Sequence, residues 1–282
     1  MSHYLRLYRL LGRTFGWRAR PIATFGLLQA QHALTALGFA ADRLLSPGID
    51  KRPIDRPIFI LGNPRSGTTF VHRFLLNTEE LAAFRLWEML FPALCERRLF
   101  GGAVDRFAPL SPARYHSGAA HETSLRDVET DDAYTFFHFV DGGFLWSYYW
   151  AWEDTWGSPL SRASFDLEAQ STKEKERYFR YLEAGWRRNL VFQNKPRLIA
   201  KASTLSLRVP SLLERYPECK LVYLSRDPLE TIPSGMSLLT GVLENSYDMW
   251  NTTTEAARAR YLENLYQGSC ELYRGFHKVW QE

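Results

Sequence analysis

The hydrophobic positions of the chain fall into short continuous runs, each followed by a turn and then by apolar residues at helical spacing. Residues 58–61 and 221–224 are such runs, and residues 197–201 contain a shorter one. Runs of this length that precede a helical pattern are typical of buried parallel strands. The pattern therefore predicts an α/β fold with three layers, α/β/α, around a mostly parallel sheet.

A longer helical pattern lies near the N-terminus. Residues 21–41 carry no charged side chain, but Gln29, Gln31 and His32 at their centre would be costly inside a bilayer. The segment therefore predicts an amphipathic helix, which either packs on the domain that follows or lies on a membrane surface. The Ser-Pro-Gly turn at residues 46–48 ends this helix.

The chain accordingly divides into a basic amphipathic helical leader, residues 1–50, and an α/β domain, residues 51–282. Within the domain, residues 173–192 predict a long charged helix with a solvated face. Residues 205–216 predict a further helix, and residues 255–281 predict the last one.

Composition agrees with a globular protein, because 45% of the 282 residues are hydrophobic and 23% are charged. These proportions exclude a disordered or collagen-like chain. The net charge of +4 comes from the leader, since the rest of the chain is close to neutral. A nucleic-acid-binding protein would spread basic side chains along a face or groove, so we expect no nucleic acid partner. The arginines of the leader are Arg6, Arg9, Arg13, Arg18 and Arg20.

Three cysteines, Cys95, Cys219 and Cys270, lie far apart in the sequence. Their spacing matches neither a disulfide framework nor a zinc ribbon, so we predict a reducing compartment, the cytoplasm. The leader adds the alternative of membrane association through residues 1–45. The histidines also lack the spacing of metal ligands, so no metal is expected.

The segment after the first apolar run predicts an anion site. Gly62 and Gly67 allow the backbone to wrap around an oxyanion, and the hydroxyl groups of Ser66, Thr68 and Thr69 supply donors at the start of a helix. The glycine spacing is that of a Walker A loop. However, Thr68 replaces the lysine that would reach the β- and γ-phosphates of a nucleotide, and the only cation of the loop is Arg65. This difference disfavours a kinase, which we keep as an alternative.

A second anion site is predicted after the run at residues 221–224. Arg226 ends this strand, and Ser234 follows eight residues later on a helix that begins at Asp227 or Pro228. Ser234 would then lie about two turns along the helix, on the side of Arg226. The guanidinium and the hydroxyl are therefore expected to converge on one anion.

The two motifs together resemble those of the sulfotransferase superfamily. The Pro-Arg-Ser-Gly-Thr-Thr loop at residues 64–69 resembles its 5′-phosphosulfate loop, and Arg-Asp-Pro followed by Ser234 resembles its 3′-phosphate motif. The resemblance covers residues 57–242. It implies a P-loop-like sulfotransferase fold and 3′-phosphoadenosine 5′-phosphosulfate (PAPS) as the donor. The residues it implies for donor binding are Arg65, Ser66, Gly67, Thr68, Thr69, Arg226 and Ser234.

The same resemblance extends to Lys201. Members of the family carry Lys-Ser-Pro-like residues after this strand, whereas this chain has Lys201 followed by alanine and serine. The resemblance therefore implies a substrate- or phosphate-binding role for Lys201, but only the lysine of the motif matches, since the proline is absent. Residues 243–282 show neither the strand nor the Gly-rich basic loop that the resemblance leads us to expect, so we expect a C-terminally truncated member or a fragment.

Sulfuryl transfer needs a cation at the leaving oxygen and a base at the acceptor. Arg65 is our candidate for the cation. Glu88 is one candidate for the base, because burial beside Trp87 would raise its pKa, and His121 is the other. Near His121 the sequence also has an acidic cluster, which either binds a polar acceptor or caps the next helix. This cluster comprises Glu129, Asp131 and Asp132.

Residues 134–156 are dense in aromatic side chains. They form either core or the wall of an acceptor pocket, and the second interpretation favours a small or lipid-like acceptor. The function implied is transfer of a sulfuryl group from PAPS to a hydroxyl or amine of such an acceptor. Two alternatives remain: a P-loop kinase of nucleotides or small molecules, and a catalytically inactive protein that binds a membrane surface.

Overall fold

A computed structural model describes residues 3–17, 19–111, 123–138, 140 and 142–281. The strands are β1 (Ile58–Gly62), β2 (Leu81–Ala82), β3 (Arg197–Lys201) and β4 (Lys220–Leu224). The helices of the first half are α1 (His3–Phe15), α2 (Ala19–Leu45), α3 (Thr68–Leu76), α4 (Leu86–Leu90), α5 (Leu94–Phe100), α6 (Asp131–Phe137) and α7 (Gly143–Tyr148). The helices of the second half are α8 (Pro159–Phe165), α9 (Thr172–Phe192), α10 (Val209–Arg215), α11 (Pro228–Tyr247), α12 (Met249–Thr252) and α13 (Glu255–Gln281).

The four strands form one parallel sheet in the order β2-β3-β1-β4. In the register, Ile60 of β1 is paired with Lys201 of β3 on one side and with Val222 of β4 on the other. The carboxyl ends of β1, β3 and β4 therefore meet at one edge of the sheet. Ligands of open α/β sheets bind outside this edge, where the strand order reverses.

Helices cover both faces of the sheet. Successive residues of β1 point to opposite faces, and each face packs against a different helix. On one face, Ile60 packs with Val71 and Leu75 of α3. On the other face, Phe59 packs with Trp186 of α9, with their ring centroids 5.7 Å apart. The three-layer α/β/α fold with a parallel sheet is thus confirmed.

The leader packs on the domain. Apolar side chains of α1, among them Leu7 and Phe15, are buried in one cluster with Trp146 and Trp150. The division of the chain at residue 50 stays a prediction, although this shared core joins the two parts. Among the helices that the structure describes, none has both the length and the apolarity that a bilayer crossing requires.

A buried ion pair fixes α2 to two other helices. The carboxylate of Asp42 accepts from Arg188 Nε of α9 at 2.8 Å and from the backbone N–H groups of Leu94 and Cys95 at 2.8 and 2.9 Å. Asp42 is 1% exposed and Arg188 is fully buried. The same carboxylate therefore caps α5 and neutralises a guanidinium of α9.

The predicted helices at residues 173–192 and 255–281 are α9 and α13. The solvated face predicted for α9 is only part of that helix, because its other face lies in the core. Trp186, Arg188 and Asn189 are all fully buried there. The long charged pattern thus belongs to a helix that carries much of the packing against the sheet.

Candidate active site

The loop between β1 and α3 is shaped for close approach to an anion. Gly62 and Gly67 have φ angles of 133° and 89°, which favour glycine because residues with a Cβ rarely adopt them. Arg65 has φ 74°, a strained angle for a residue other than glycine and one that is frequent at functional sites. Ser66 Oγ donates to the carbonyl oxygen of Asn63 at 2.7 Å and so holds the loop from inside.

The start of α3 offers hydrogen-bond donors at this loop. The backbone N–H groups of Gly67, Thr68 and Thr69 donate to no other backbone carbonyl of the described residues, as is usual at the first turn of a helix. Such a turn attracts anions through these groups and through the helix dipole. The loop and α3 therefore fit a phosphate or a phosphosulfate group.

The two predicted anion motifs meet in the fold. Arg65 Nε donates to Ser234 Oγ of α11 at 2.9 Å, although 169 positions separate the two residues. Arg226 is paired instead with Glu230, with distances of 2.7 Å from Nε and 2.5 Å from Nη2 to the same carboxylate oxygen. Both arginines line one cavity. Convergence of Arg226 and Ser234 on a shared anion stays a prediction, because each has another partner here.

Lys201 reaches the loop from the carboxyl end of β3. Its Nζ donates to Thr69 Oγ1 at 2.9 Å, and the residue is only 6% exposed. Burial lowers the pKa of Lys201, an effect that the charges of Glu129, Asp131 and Asp132 oppose. Lys201 therefore places a buried amino group beside the first turn of α3.

Two members of the acidic cluster hold the end of β3 in place. Asp131 Oδ2 accepts from the backbone N–H of Lys201 at 2.9 Å, and Asp132 Oδ2 accepts from that of Ser203 at 2.7 Å. Both aspartates are 1% exposed, and burial raises the pKa of Asp131 to about 7. Glu129 differs from them, because it alone of the three lines the cavity.

The cavity has a volume of about 770 Å³, which is in the upper part of the range for small-molecule sites. Its polar lining includes Arg65, Thr68, Thr69, Glu129, Lys201 and Arg226. Its remaining walls are mostly apolar and include Leu34, Trp87, Phe91, Phe107, Phe136, Phe137, Phe144, Tyr148, Tyr149, Val242 and Leu243. The aromatic segment at residues 134–156 is therefore both core and cavity wall. Trp146 and Trp150 lie in the core, whereas Phe144 and Tyr148 line the cavity.

Glu88 is buried, as expected, and burial raises its pKa. Its carboxylate oxygen Oε2 accepts from the backbone N–H of Arg85 at 2.9 Å and from Gln193 Nε2 at 2.8 Å. These contacts cap α4 and join it to the end of α9. Glu88 is not among the residues that line the cavity. The other candidate base, His121, lies outside the described residues.

The helical pattern of α3 did not reveal its buried face. Phe70 and Phe74 are 74% and 64% exposed, whereas His72 is fully buried against the sheet. Burial, together with the charge of Lys201, lowers the pKa of His72 to about 3. Val71 and Leu75, two apolar residues four positions apart on this helix, were the available signal for this face.

The loop has a shape that fits an anion, and it lies at the carboxyl ends of parallel strands beside an apolar cavity. These features are typical of the class of α/β proteins that bind a phosphorylated ligand with a P-loop-like turn. Across the described ranges, no group of side chains could hold a metal ion.

The chain belongs to the sulfotransferase family, whose model matches residues 57–277. The omega-hydroxy-beta-dihydromenaquinone-9 sulfotransferases Stf3 of Mycobacterium bovis and Mycobacterium tuberculosis are each 26% identical to it over 188 residues. The match covers 65% of this chain and 45% of each relative. The chain therefore spans less than half the length of these relatives.

Two solved structures share the fold. The sulfotransferase STF1 from Mycobacterium tuberculosis H37Rv superposes with a TM-score of 0.58 at 17% identity, covering 97% of this chain and 82% of STF1. The sulfotransferase STF9 from Mycobacterium avium gives 0.60 at 19% identity, covering 99% and 71%. These likenesses show the P-loop-like sulfotransferase fold expected from the sequence.

Proposed function

We propose that this protein transfers the sulfuryl group of PAPS to a hydroxyl or amine of a lipid-like acceptor. The observation that carries the proposal is the cavity, whose lining combines cationic and hydroxyl side chains from the carboxyl ends of β1, β3 and β4 with mostly apolar and aromatic walls. Ligand sites with such walls and few polar groups suit an apolar ligand held by one reactive end. The relatives named for omega-hydroxy-beta-dihydromenaquinone-9, a hydroxylated quinone, support an acceptor of this kind.

For the donor, the backbone N–H groups of Gly67, Thr68 and Thr69 would hold the 5′-phosphosulfate, in a loop that Ser66 keeps in shape. Arg65 would add a cation there. Arg226 and Ser234 would bind the 3′-phosphate, which PAPS carries and an ordinary adenine nucleotide diphosphate lacks. We propose no metal, because guanidinium and amino groups supply the positive charge.

For the chemistry, we propose Glu129 as the general base. It takes the proton of the acceptor hydroxyl or amine, whose oxygen or nitrogen forms a bond to sulfur. The bond from sulfur to the bridging oxygen breaks, and that oxygen keeps the electron pair as part of adenosine 3′,5′-bisphosphate. Arg65 and Lys201 stabilise the negative charge that develops on this oxygen.

We prefer Glu129 to Glu88 because of where each carboxylate lies. Glu129 lines the cavity together with Lys201 and Thr69, which are themselves hydrogen-bonded. Glu88 is not among the residues that line the cavity. A base must come within hydrogen-bond reach of the proton that it removes.

We also propose peripheral membrane contact through the leader, in the cytoplasm. Leu34 of α2 both lines the cavity and is 39% exposed, and Leu37 and Leu44 of the same helix are 70% and 82% exposed. Exposed leucines at this density mark interaction sites. A lipid acceptor could then pass between the membrane and the cavity beside α2. The three cysteines are free thiols, in keeping with a reducing compartment.

Thermal stability in the presence of nucleotides tests the donor. We expect adenosine 3′,5′-bisphosphate to raise the melting temperature and ADP to have little effect, because only the former carries a 3′-phosphate. Stronger stabilisation by ADP would favour the kinase alternative. With labelled PAPS, transfer to a pool of hydroxylated lipids is expected, and donor binding without any transfer would favour the inactive alternative.

A further inference from the structure

Both arginines of the proposed donor site are already paired with side chains of α11. Arg65 donates to Ser234, and Arg226 forms an ion pair with Glu230. Glu230 and Ser234 are four residues apart and therefore lie one above the other on the same side of the helix. One turn of α11 thus supplies partners to both cationic side chains that would bind the donor.

The two partners differ in charge. Ser234 is neutral, whereas Glu230 brings a carboxylate oxygen to within 2.7 Å of Arg226 Nε and 2.5 Å of Nη2. Each side chain of this ion pair is 57% exposed. A pair that is so accessible to solvent contributes little to stability, and a better anion can displace it at small cost.

We propose that Glu230 is a competitor for Arg226, which the 3′-phosphate of the nucleotide has to displace. This inference rests on the proposed function, in which Arg226 binds that phosphate. Glu230 neutralises Arg226 in the free protein and repels the phosphate once it is bound. It therefore weakens the binding of 3′-phosphorylated nucleotides and favours the release of adenosine 3′,5′-bisphosphate after transfer.

Titration calorimetry on Glu230→Gln tests this inference. The glutamine keeps the shape of the side chain and removes its charge. We expect adenosine 3′,5′-bisphosphate to bind about three- to tenfold more tightly than to the wild type. Adenosine 5′-monophosphate, which lacks the 3′-phosphate, should bind with unchanged affinity. Glu214→Gln, at an exposed position of α10, is the matched control for net charge and should change neither affinity.

A double variant shows whether the effect passes through Arg226. In an Arg226→Ala background, Glu230→Gln should no longer tighten the binding of adenosine 3′,5′-bisphosphate. Unchanged or weaker binding by Glu230→Gln alone would overturn the inference and leave the proposed function standing. If the wild type bound no adenosine 3′,5′-bisphosphate at all, the proposed function and this inference would both be wrong.

Discussion

Two glutamates show how surroundings decide what a side chain can do. Glu88 and Glu129 are both buried, but only Glu129 lines the cavity beside Lys201. Glu88 lies close to the buried guanidinium of Arg97, whose charge opposes the rise in its pKa caused by burial. We therefore expect Glu129 to act in transfer and Glu88 to act in stability.

The matched substitutions Glu129→Gln and Glu88→Gln separate these roles. Glu129→Gln should lower the rate of sulfuryl transfer at least about 100-fold, because the base is lost, and leave the affinity for adenosine 3′,5′-bisphosphate unchanged. Glu88→Gln should retain transfer but lower the free energy of unfolding by about 1–3 kcal/mol, because the amide nitrogen would replace Oε1, which is buried without a hydrogen-bond partner among the described residues. Loss of transfer in Glu88→Gln with an intact fold would reverse the two roles.

From the sequence we could predict the loop that we propose for the donor, but not the residue that we propose as the base. Gly62, Arg65 and Gly67 follow a strand at a spacing that itself encodes the turn, so local chemistry was enough. Glu88 was chosen because burial beside Trp87 would raise its pKa, and burial alone does not determine which side of a short helix faces a cavity. Glu129 was recognised only as part of an acidic cluster. That Glu129 lines the cavity while the two aspartates do not depends on tertiary packing, which the sequence does not show.

At the scale of elements, strands were easier to predict than helix faces. The runs at β1, β3 and β4 are buried on both sides, so continuous hydrophobicity marks them directly. The face of α3 was less evident. Its phenylalanines, Phe70 and Phe74, point outward, while Val71 and Leu75 pack against the sheet and His72 is buried. The largest apolar side chains of the helix therefore do not mark its buried face.

The end of β1, where the loop begins, tolerates no side chain at Gly62. A Cβ added to Gly62, at φ 133°, would collide with the carbonyl oxygen of Leu224 on β4, whereas one added to Gly67 would meet open space. Gly62→Ala should therefore lower the free energy of unfolding by about 3 kcal/mol or more, and Gly67→Ala by about 1–2 kcal/mol for its left-handed φ alone. Chemical denaturation measures both, and equal losses would contradict the steric argument.

At the scale of the whole molecule, the first helix of the basic leader packs on the domain. α1 contributes Leu7 and Phe15 to a core shared with α7. The sequence could not show this, because the partners of α1 lie more than a hundred residues away. Leu37 and Leu44 of α2 face solvent.

Sedimentation with lipid vesicles tests the proposed membrane contact. Leu37→Glu should reduce the fraction of protein bound to phosphatidylglycerol–phosphatidylcholine vesicles roughly tenfold, since the burial of one leucine contributes about 1.5–3 kcal/mol. Leu213→Glu is the control, because Leu213 is 45% exposed on α10, outside the leader. An equal reduction in both variants, or no vesicle binding by the wild type, would contradict a role for α2.

The ion pair of Asp42 with Arg188 has a consequence for how such a protein can evolve. Arg188 pairs with Asp50 as well as with Asp42, at 2.9 and 2.8 Å. Because a buried guanidinium left without any carboxylate costs about 3–5 kcal/mol, a lineage that lost residues 1–50, and with them both aspartates, would also have to replace Arg188 in α9. These positions should therefore be inherited together, and descendants that shed the leader should carry an uncharged residue in place of Arg188.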